Sequence, residues 1–320
     1  MDEVWFDGAC AEGPNGKRQE YDWASYFQVV RELQPQAVIF GMGPDVRWVG
    51  TESGYGRETE WSVVPLNLRN PEGLADASGP NPIDGLFVPG DLTGPDLGSR
   101  EKIASARTLA WYPAETDVSI RPGWFYHPDQ DDKVKKPGTL VDIYYSSAGR
   151  NGVLLLNIPP DTRGLIHDND AAALVGMRSI LDETFRVDLS AGAVVRSSSE
   201  ARAHRPAFIL DSDPETYWAA EAGVESAWIE FDLPAEKTFD RARLEEYFRV
   251  GQRVEKFALE AWDGRTWRVF AQGTTIGAKR LLRFAPVTAA RVRLVLEQSR
   301  TSPTLAAFGL YQSSKREESR

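Results

Sequence analysis

Between residues 3 and 186 the chain alternates short apolar runs with stretches that have apolar residues at helical spacing. Continuous apolar runs are typical of strands covered on both faces. The predicted strands or extended segments are 4–7, 37–40, 47–50, 105–111, 115–120 and 153–157. The predicted helical segments are 21–33, which Asp22 can cap, 139–147, and one that starts at Asp168 or Asn169 and runs through Phe185. A loop rich in Gly, Pro and Asn spans about 66–100.

This alternation predicts βα units and a parallel sheet. Four or five of the six segments count as strands of such a sheet, whereas a closed (β/α)₈ barrel needs eight. From about residue 190 the pattern changes to short segments of period-2 alternation with turns between them, which predicts an antiparallel β-sandwich. The predicted fold is therefore α/β plus all-β. Its domains are a C-terminal part of a barrel at 1–188, a sandwich at 189–314 and a charged tail at 315–320.

Composition narrows the function class. The 320 residues carry 37 basic and 47 acidic side chains, a net charge of −10, and no basic stripe, which argues against a nucleic-acid partner. One cysteine, Cys10, excludes an internal disulfide, and three histidines without metal-ligand spacing disfavour a histidine metal centre. No apolar run reaches the length of a membrane helix. Ten Trp and ten Tyr suit sugar-stacking clefts, although most such rings serve as core.

Two carboxylates are candidates for chemistry. Asp7 ends a predicted barrel strand, where catalytic groups reside on this scaffold, and Glu52 lies among glycines after another short strand. The non-catalytic alternatives are that Asp7 only forms a turn and that Glu52 is a solvated loop residue. Paired carboxylates are what glycoside hydrolysis requires, one as nucleophile and one as general acid/base. Glu58 and Glu60 are the fallback candidates for the second role.

Four ordered segments carry a resemblance to a known family. They are EVWFDGA at 3–9, PDVRWVGTESG at 44–54, AETDVSIRPGWFYH at 114–127 and GRNGVLLLNIPPDTRG at 149–164. Together they resemble the α-L-fucosidases of glycoside hydrolase family 29, and the second and third look closer to the subfamily selective for α-1,3/1,4-fucosyl branches. The resemblance implies a retaining mechanism with Asp7 as nucleophile and Glu52 as general acid/base, and no cofactor for catalysis.

The resemblance also implies sugar-binding residues. In this family histidines and a tryptophan on early barrel strands hold the fucose hydroxyls, and those strands would precede residue 3. Trp48 and Trp124 are left to pack the apolar face or methyl group of the sugar, with ordinary burial as the alternative. Arg121 is a candidate to hydrogen-bond a sugar hydroxyl, the alternative being an ion pair with Asp117 or Glu115. We expect the chain to be the C-terminal part of a longer enzyme and inactive by itself.

The predicted sandwich has its own similarity. Residues 209–218 (ILDSDPETYW) and 228–233 (WIEFDL) are similar to discoidin-like, or F5/8 type C, and galactose-binding-like modules. Many such modules hold a structural calcium, here through the Asp211 carboxylate, a carbonyl near Asp213 and the Thr216 hydroxyl, oxygen donors that suit this cation. The alternative is a metal-free loop closed by Asx and ST turns.

Two interpretations of function follow. The first is a secreted or periplasmic α-L-fucosidase that acts on fucosylated oligosaccharides or glycoconjugates and requires an N-terminal barrel half, with neither nucleic acid nor membrane as partner. The second is a non-catalytic carbohydrate-binding or interaction protein in which the sandwich binds and the barrel segment is scaffold.

Overall fold

The computed structural model describes residues 1–6, 16–17, 21–41, 43–65, 94–104, 106 and 109–315. These residues divide into two compact units, Met1–Asp117 with Gly152–Leu155 (unit 1) and Val118–Asn151 with Leu156–Arg320 (unit 2). Within the described ranges, none of the helices combines the length and apolar character needed to span a bilayer.

The first half of the chain carries βα elements. In chain order they are β1 (Glu3–Phe6), α1 (Trp23–Leu33), β2 (Val38–Gly41), β3 (Arg47–Trp48), β4 (Val63–Pro65), α2 (Arg100–Ala104), β5 (Leu109–Trp111), β6 (Ala114–Ser119), α3 (Pro137–Ser146), β7 (Val153–Asn157) and α4 (Asp168–Phe185), with a 3₁₀ turn at Pro128–Lys133. β1 pairs with β2 in parallel, β3 pairs with β6 in parallel, and β7 lies next to β6. β1 and β2 form a two-stranded sheet, and β3, β6 and β7 form a three-stranded sheet.

Local sequence explains why these elements form. Asp22 accepts hydrogen bonds from the Ser25 N–H (3.2 Å) and hydroxyl (2.5 Å), which caps α1, and Trp23 and Val30 on that helix are buried. α3 begins with Pro137 at its first turn, where the missing proline N–H costs nothing. His167 caps α4 by accepting from the Asn169 N–H, so the helix starts at Asp168, one of the two predicted first residues.

Unit 1 contains a small apolar core. Trp23, Val64, Leu97, Ala110 and Tyr112 form one buried cluster, and a second one contains Val30, Ala37 and Ile39. β4 pairs with β5 in antiparallel register, a pairing that the sequence pattern does not predict because the two strands are far apart in the chain. The predicted strand 105–111 is shorter, and α2 lies at the end of the predicted loop. Most of that loop lies outside the described residues.

Residues 194–311 form the predicted antiparallel sandwich. Its strands are β8 (Val194–Ser197), β9 (Trp218–Ala219), β10 (Ala227–Glu245), β11 (Val254–Trp262), β12 (Trp267–Gly273), β13 (Arg280–Ser299), β14 (Thr304–Leu305) and β15 (Ala307–Tyr311). The main sheet has the order β12-β11-β13-β10-β15, β8 pairs with β10, and β14 pairs with β9. Alternate residues of β10, such as Ile229 and Phe231, enter a core that also holds the fully buried Trp218.

Candidate active site

In unit 1, the segments that follow β1 and β3 begin at the same edge of the strands. β1 and β2 are in parallel register from Glu3↔Val38 to Phe6↔Gly41, and a parallel bridge joins Phe40 to Val46, immediately before β3. The carboxyl ends of β1 and β3 therefore point the same way, as at the functional face of an α/β barrel. Asp7, the predicted nucleophile, lies outside the described residues.

Glu52, the predicted general acid/base, lies in the loop that follows β3. Its side chain is exposed, and glycines with positive φ stand on both sides of it, Gly50 at 100° and Gly54 at 77°. Hydroxyl groups organise the turn, since the Ser53 N–H donates to Thr51 Oγ1 and the Tyr55 N–H to Ser53 Oγ, both at 3.3 Å. The loop therefore presents Glu52 to solvent on an ordered backbone.

Glu60, one of the fallback candidates, stabilises this loop through two buried ion pairs. Its carboxylate is buried between the guanidinium groups of Arg47 and Arg57. Arg57 also donates to the carbonyls of Val49 (2.9 Å) and Gly94 (2.7 Å). This carboxylate is committed to holding the loop in place, whereas Glu58, the other fallback, is exposed.

Trp48 is half-buried on β3, and a hydrogen bond fixes the orientation of its ring. The indole Nε1–H donates a 2.8 Å hydrogen bond to Oδ1 of Asp117, which is on β6. A tryptophan held in this way keeps one ring orientation, which a stacking residue requires. The geometry fits both the predicted sugar contact and a purely structural role.

Beside Trp48 lies a carboxyl group that the sequence analysis treated only as an ion-pair partner. Glu115 is opposite Trp48 in the β3–β6 register and is fully buried. Burial, followed by the nearby carboxyls of Glu3 and Asp117, raises the pKa of Glu115 to about 9. Burial also raises the pKa of Glu3. Glu115 is therefore protonated at neutral pH and can donate a hydrogen bond.

Arg121 opens the loop after β6 and is fully buried in unit 2. Its Nε donates to Asp170 on α4 and its Nη1 to Asp131, both at 2.9 Å. The pairing with Asp117 or Glu115 is therefore wrong, because the acidic partners come from segments further along the chain. The Tyr126 ring lies 4.7 Å from the guanidinium. Arg121 thus joins the loop to α4, and its proposed contact with a sugar stays a prediction.

Trp124, half-buried in the same loop, is held by its backbone. Asn157, the last residue of β7, donates from Nδ2 to the Trp124 carbonyl and to Ser119 Oγ, both at 3.0 Å. Ser119 Oγ in turn donates to the Gly123 carbonyl at 2.7 Å. Asn157 was not among the predicted site residues. The sequence does carry a signal for it, since this Asn is the last residue of an apolar strand and stands shortly before Pro159-Pro160.

The predicted calcium loop is closed by its own side chains. Thr216 Oγ1 lies 2.9 and 2.8 Å from the two carboxylate oxygens of Asp211 and 3.2 Å from the Asp213 carbonyl. These oxygen atoms bond to one another as in a metal-free turn, and the calcium site stays a prediction. In the part of the chain that the structure describes, no three His, Cys, Asp or Glu side chains cluster as a metal site.

Comparison with known proteins defines the class of both parts of the chain. Residues 2–183 match the family described as Alpha-L-fucosidase, and residues 194–308 match the F5/8 type C domain. The fold is thus a fucosidase catalytic segment followed by a discoidin-like sheet domain.

Similar proteins agree with this class. A protein of Oryza sativa subsp. japonica, provisionally named α-L-fucosidase 1, is 36% identical over 325 residues, covering 98% of this chain and 57% of its own length. α-L-fucosidase 1 of Arabidopsis thaliana is 36% identical over 318 residues, with 97% and 58% covered. A crystal structure from Bacteroides thetaiotaomicron, provisionally assigned as an α-L-fucosidase, has a TM-score of 0.80, 35% identity and coverage of 98% and 65%.

This chain belongs to the α-L-fucosidase family, glycoside hydrolase family 29. It spans somewhat over half the length of the two plant relatives.

Proposed function

We propose that this chain carries the catalytic pair of a retaining α-L-fucosidase, with Asp7 as nucleophile and Glu52 as general acid/base. The observation that supports this most directly is the shared direction of β1 and β3, because Asp7 follows β1 in the sequence and Glu52 lies in the loop after β3. Two carboxylates from different strand ends of one barrel face can flank a glycosidic bond.

The proposed reaction has two steps. Asp7 attacks the anomeric carbon while Glu52 gives its proton to the leaving oxygen, which forms a glycosyl-enzyme ester. Glu52 then removes a proton from water, whose oxygen attacks the same carbon and displaces the Asp7 carboxylate, so that fucose leaves with retained configuration. Trp48, Trp124 and Arg121 are proposed to bind the sugar, the two indoles through its apolar face or methyl group.

The substrates proposed are glycans with terminal α-1,3- or α-1,4-linked fucose, in a secreted or periplasmic setting. The sequence resemblance at 44–54 and 114–127 supports this linkage preference. The chain covers 57% and 58% of the lengths of the two plant relatives. We therefore propose that an N-terminal barrel half, joined upstream or supplied by a second chain, completes the enzyme, and that residues 1–320 alone do not hydrolyse fucosides.

Azide rescue tests the nucleophile in a completed enzyme. Asp7→Gly removes the attacking carboxylate, so we expect turnover of an aryl α-L-fucoside to fall by several orders of magnitude. Added azide should restore part of it and yield a fucosyl azide of opposite anomeric configuration. Full activity in this variant would overturn the assignment.

Leaving-group dependence tests the acid/base. Glu52→Gln should slow hydrolysis of natural glycans far more than that of an activated aryl fucoside, because only a poor leaving group needs the proton. Glu58→Gln, a change of the other exposed glutamate nearby, serves as the matched control. If Glu58→Gln shows the leaving-group dependence and Glu52→Gln does not, the role moves to Glu58. If a completed chain binds glycans but hydrolyses none, the non-catalytic interpretation is supported.

We also propose a structural calcium in the sandwich, held by the Asp211 carboxylate, the Asp213 carbonyl and the Thr216 hydroxyl. The converging oxygen atoms of this loop support it. The ion would brace the loop and take no part in the hydrolysis.

A further inference from the structure

The loop that carries Glu52 is closed at its base by the buried guanidinium group of Arg57. Its three nitrogens donate to three acceptors, Nη2 to the Val49 carbonyl at 2.9 Å, Nη1 to the Glu60 carboxylate at 3.0 Å and Nε to the Gly94 carbonyl at 2.7 Å. Val49 directly follows β3, and Glu60 stands shortly before β4. One side chain therefore joins the two ends of the loop and ties them to a third segment, all within unit 1.

Water has almost no access to this network. Arg57 is 9% exposed, Glu60 is 1% exposed, and Arg47, which also pairs with Glu60, is 0% exposed. Arg47 donates in addition to the carbonyls of Trp61 and Tyr112, both at 3.0 Å. Buried ion pairs add little net stability over apolar packing, because the desolvation of the charges offsets their attraction. A planar guanidinium group does, however, fix the directions of its acceptors.

The position of the Glu52 carboxyl depends on where the ends of its loop are held. Within the described range 43–65, residues 49–60 form neither a helix nor a strand, and the backbone turns at Gly50 and Gly54, both with positive φ. Glycine adopts many backbone conformations, so these turns do not by themselves fix one path. A general acid must reach the leaving oxygen at hydrogen-bonding distance, and a displacement of about 1 Å can lower the rate about 100-fold.

We propose that Arg57 is a positioning residue for the general acid/base, which sets the place of the Glu52 carboxyl by closing the base of the loop at 49–60. This inference rests on the proposed function. It extends that function by assigning the accuracy of proton transfer to a buried side chain that takes no part in the bond changes. Loss of Arg57 should then resemble a partial loss of Glu52, so that only reactions that need the proton become slow.

Two substrates test this in the completed enzyme. Arg57→Met removes the charge and all three donors, and we expect its kcat/KM for a fucosylated trisaccharide to fall by about 10- to 100-fold. Its kcat/KM for an activated aryl α-L-fucoside should change far less. Arg57→Lys has one nitrogen in place of three, so we expect an intermediate loss, and this variant carries the test if Arg57→Met does not fold. Arg283→Met, which removes the ion pair with Asp142 in unit 2, is the control and should retain the wild-type ratio of the two values.

Hydrogen–deuterium exchange of the 320-residue chain gives a readout that requires no hydrolysis. Peptides covering 49–61 should exchange faster in Arg57→Met than in the wild type, and Arg283→Met should match the wild type there. Unchanged exchange in Arg57→Met would overturn the inference. Faster exchange with a wild-type ratio of the two kcat/KM values would also overturn it, because the role of Arg57 would then be purely structural.

The behaviour of Glu52→Gln separates this inference from the proposed function. If Glu52→Gln shows the leaving-group dependence and neither Arg57 variant does, the positioning role alone is wrong. If Glu52→Gln shows no such dependence, the proposed role of Glu52 is wrong and the positioning role is overturned with it.

Discussion

The side-chain amide of Asn157 holds the backbone of Trp124, through a 3.0 Å hydrogen bond from Nδ2 to the Trp124 carbonyl. The same nitrogen lies 3.0 Å from Ser119 Oγ, so that the end of β7 and the end of β6 are joined to the loop that carries two proposed sugar contacts. Because the loop has no regular secondary structure, these bonds take the place of a strand or helix in ordering it.

Asn157→Ala should loosen this loop. Leaving the Trp124 carbonyl without its donor is expected to cost about 1–2 kcal/mol of stability. Hydrogen–deuterium exchange should rise in peptides covering 121–127. Gln28→Ala is the matched control. It removes a hydrogen bond from another side-chain amide, which Gln28 donates to Glu32 on α1, and it should leave those peptides unchanged. Equal exchange in the wild type and Asn157→Ala would mean that the amide does not order the loop.

Glu115 should make stability fall as pH rises. Its pKa is raised to about 9 in the folded chain against 4.5 for the free side chain, so the folded state binds the extra proton between these pH values. Unfolding therefore becomes easier as pH increases through this interval. Glu115→Gln keeps a neutral polar group in place, and we expect a higher Tm than wild type at pH 8–9, with little difference near pH 5.

The slope of Tm against pH decides this prediction. It should be shallower in Glu115→Gln than in wild type, and some slope should remain because burial also raises the pKa of Glu3. Glu58→Gln, a change of an exposed glutamate, should retain the wild-type slope. An unchanged slope in Glu115→Gln would mean that this carboxyl is ionised in the folded chain.

The sequence predicts the elements whose causes are local and misses the contacts that join distant segments. α1 follows from helical spacing and the Asp22 cap, and β7 matches its predicted range because an apolar run ends at Pro-Pro. In contrast, Arg121 pairs with Asp170, 49 residues away, and Asn157 bonds to Trp124, 33 residues away. No periodicity encodes such pairs, since they depend on how the strands and helices pack.

A second buried carboxyl braces the sandwich. Glu246 accepts hydrogen bonds from the backbone N–H groups of Arg253 (2.7 Å), Val254 (2.9 Å) and Gly277 (2.6 Å). Burial raises its pKa to about 7, although these three bonds act in the opposite direction. Its contribution therefore also makes stability fall with pH, here between about pH 4.5 and 7.

Glu246→Gln should destabilise the sandwich at every pH. The amide group replaces one oxygen acceptor by an N–H donor, so one backbone N–H is left facing a donor, at a cost of about 1–3 kcal/mol. Chemical denaturation of the full chain should show this loss together with a flatter pH dependence from 4.5 to 7. Glu245→Gln, at the neighbouring half-buried position, should show neither effect. Wild-type stability in Glu246→Gln would contradict the bracing role.

Calcium binding at Asp211, Asp213 and Thr216 should be visible as a change in melting temperature. An ion that binds only the folded loop stabilises the protein in proportion to the logarithm of its free concentration over Kd. Chelator should then lower the Tm of the sandwich transition, and added calcium should restore it. Asp211→Ala should remove this sensitivity.

Asp263→Ala is the matched control. Asp263 closes a hairpin turn by accepting from the N–H groups of Arg265 and Thr266. This variant should therefore lose stability while still responding to chelator. Identical melting curves of the wild type with and without chelator would favour the metal-free turn, in which the Thr216 hydroxyl itself bonds to the Asp211 carboxylate at 2.8 Å.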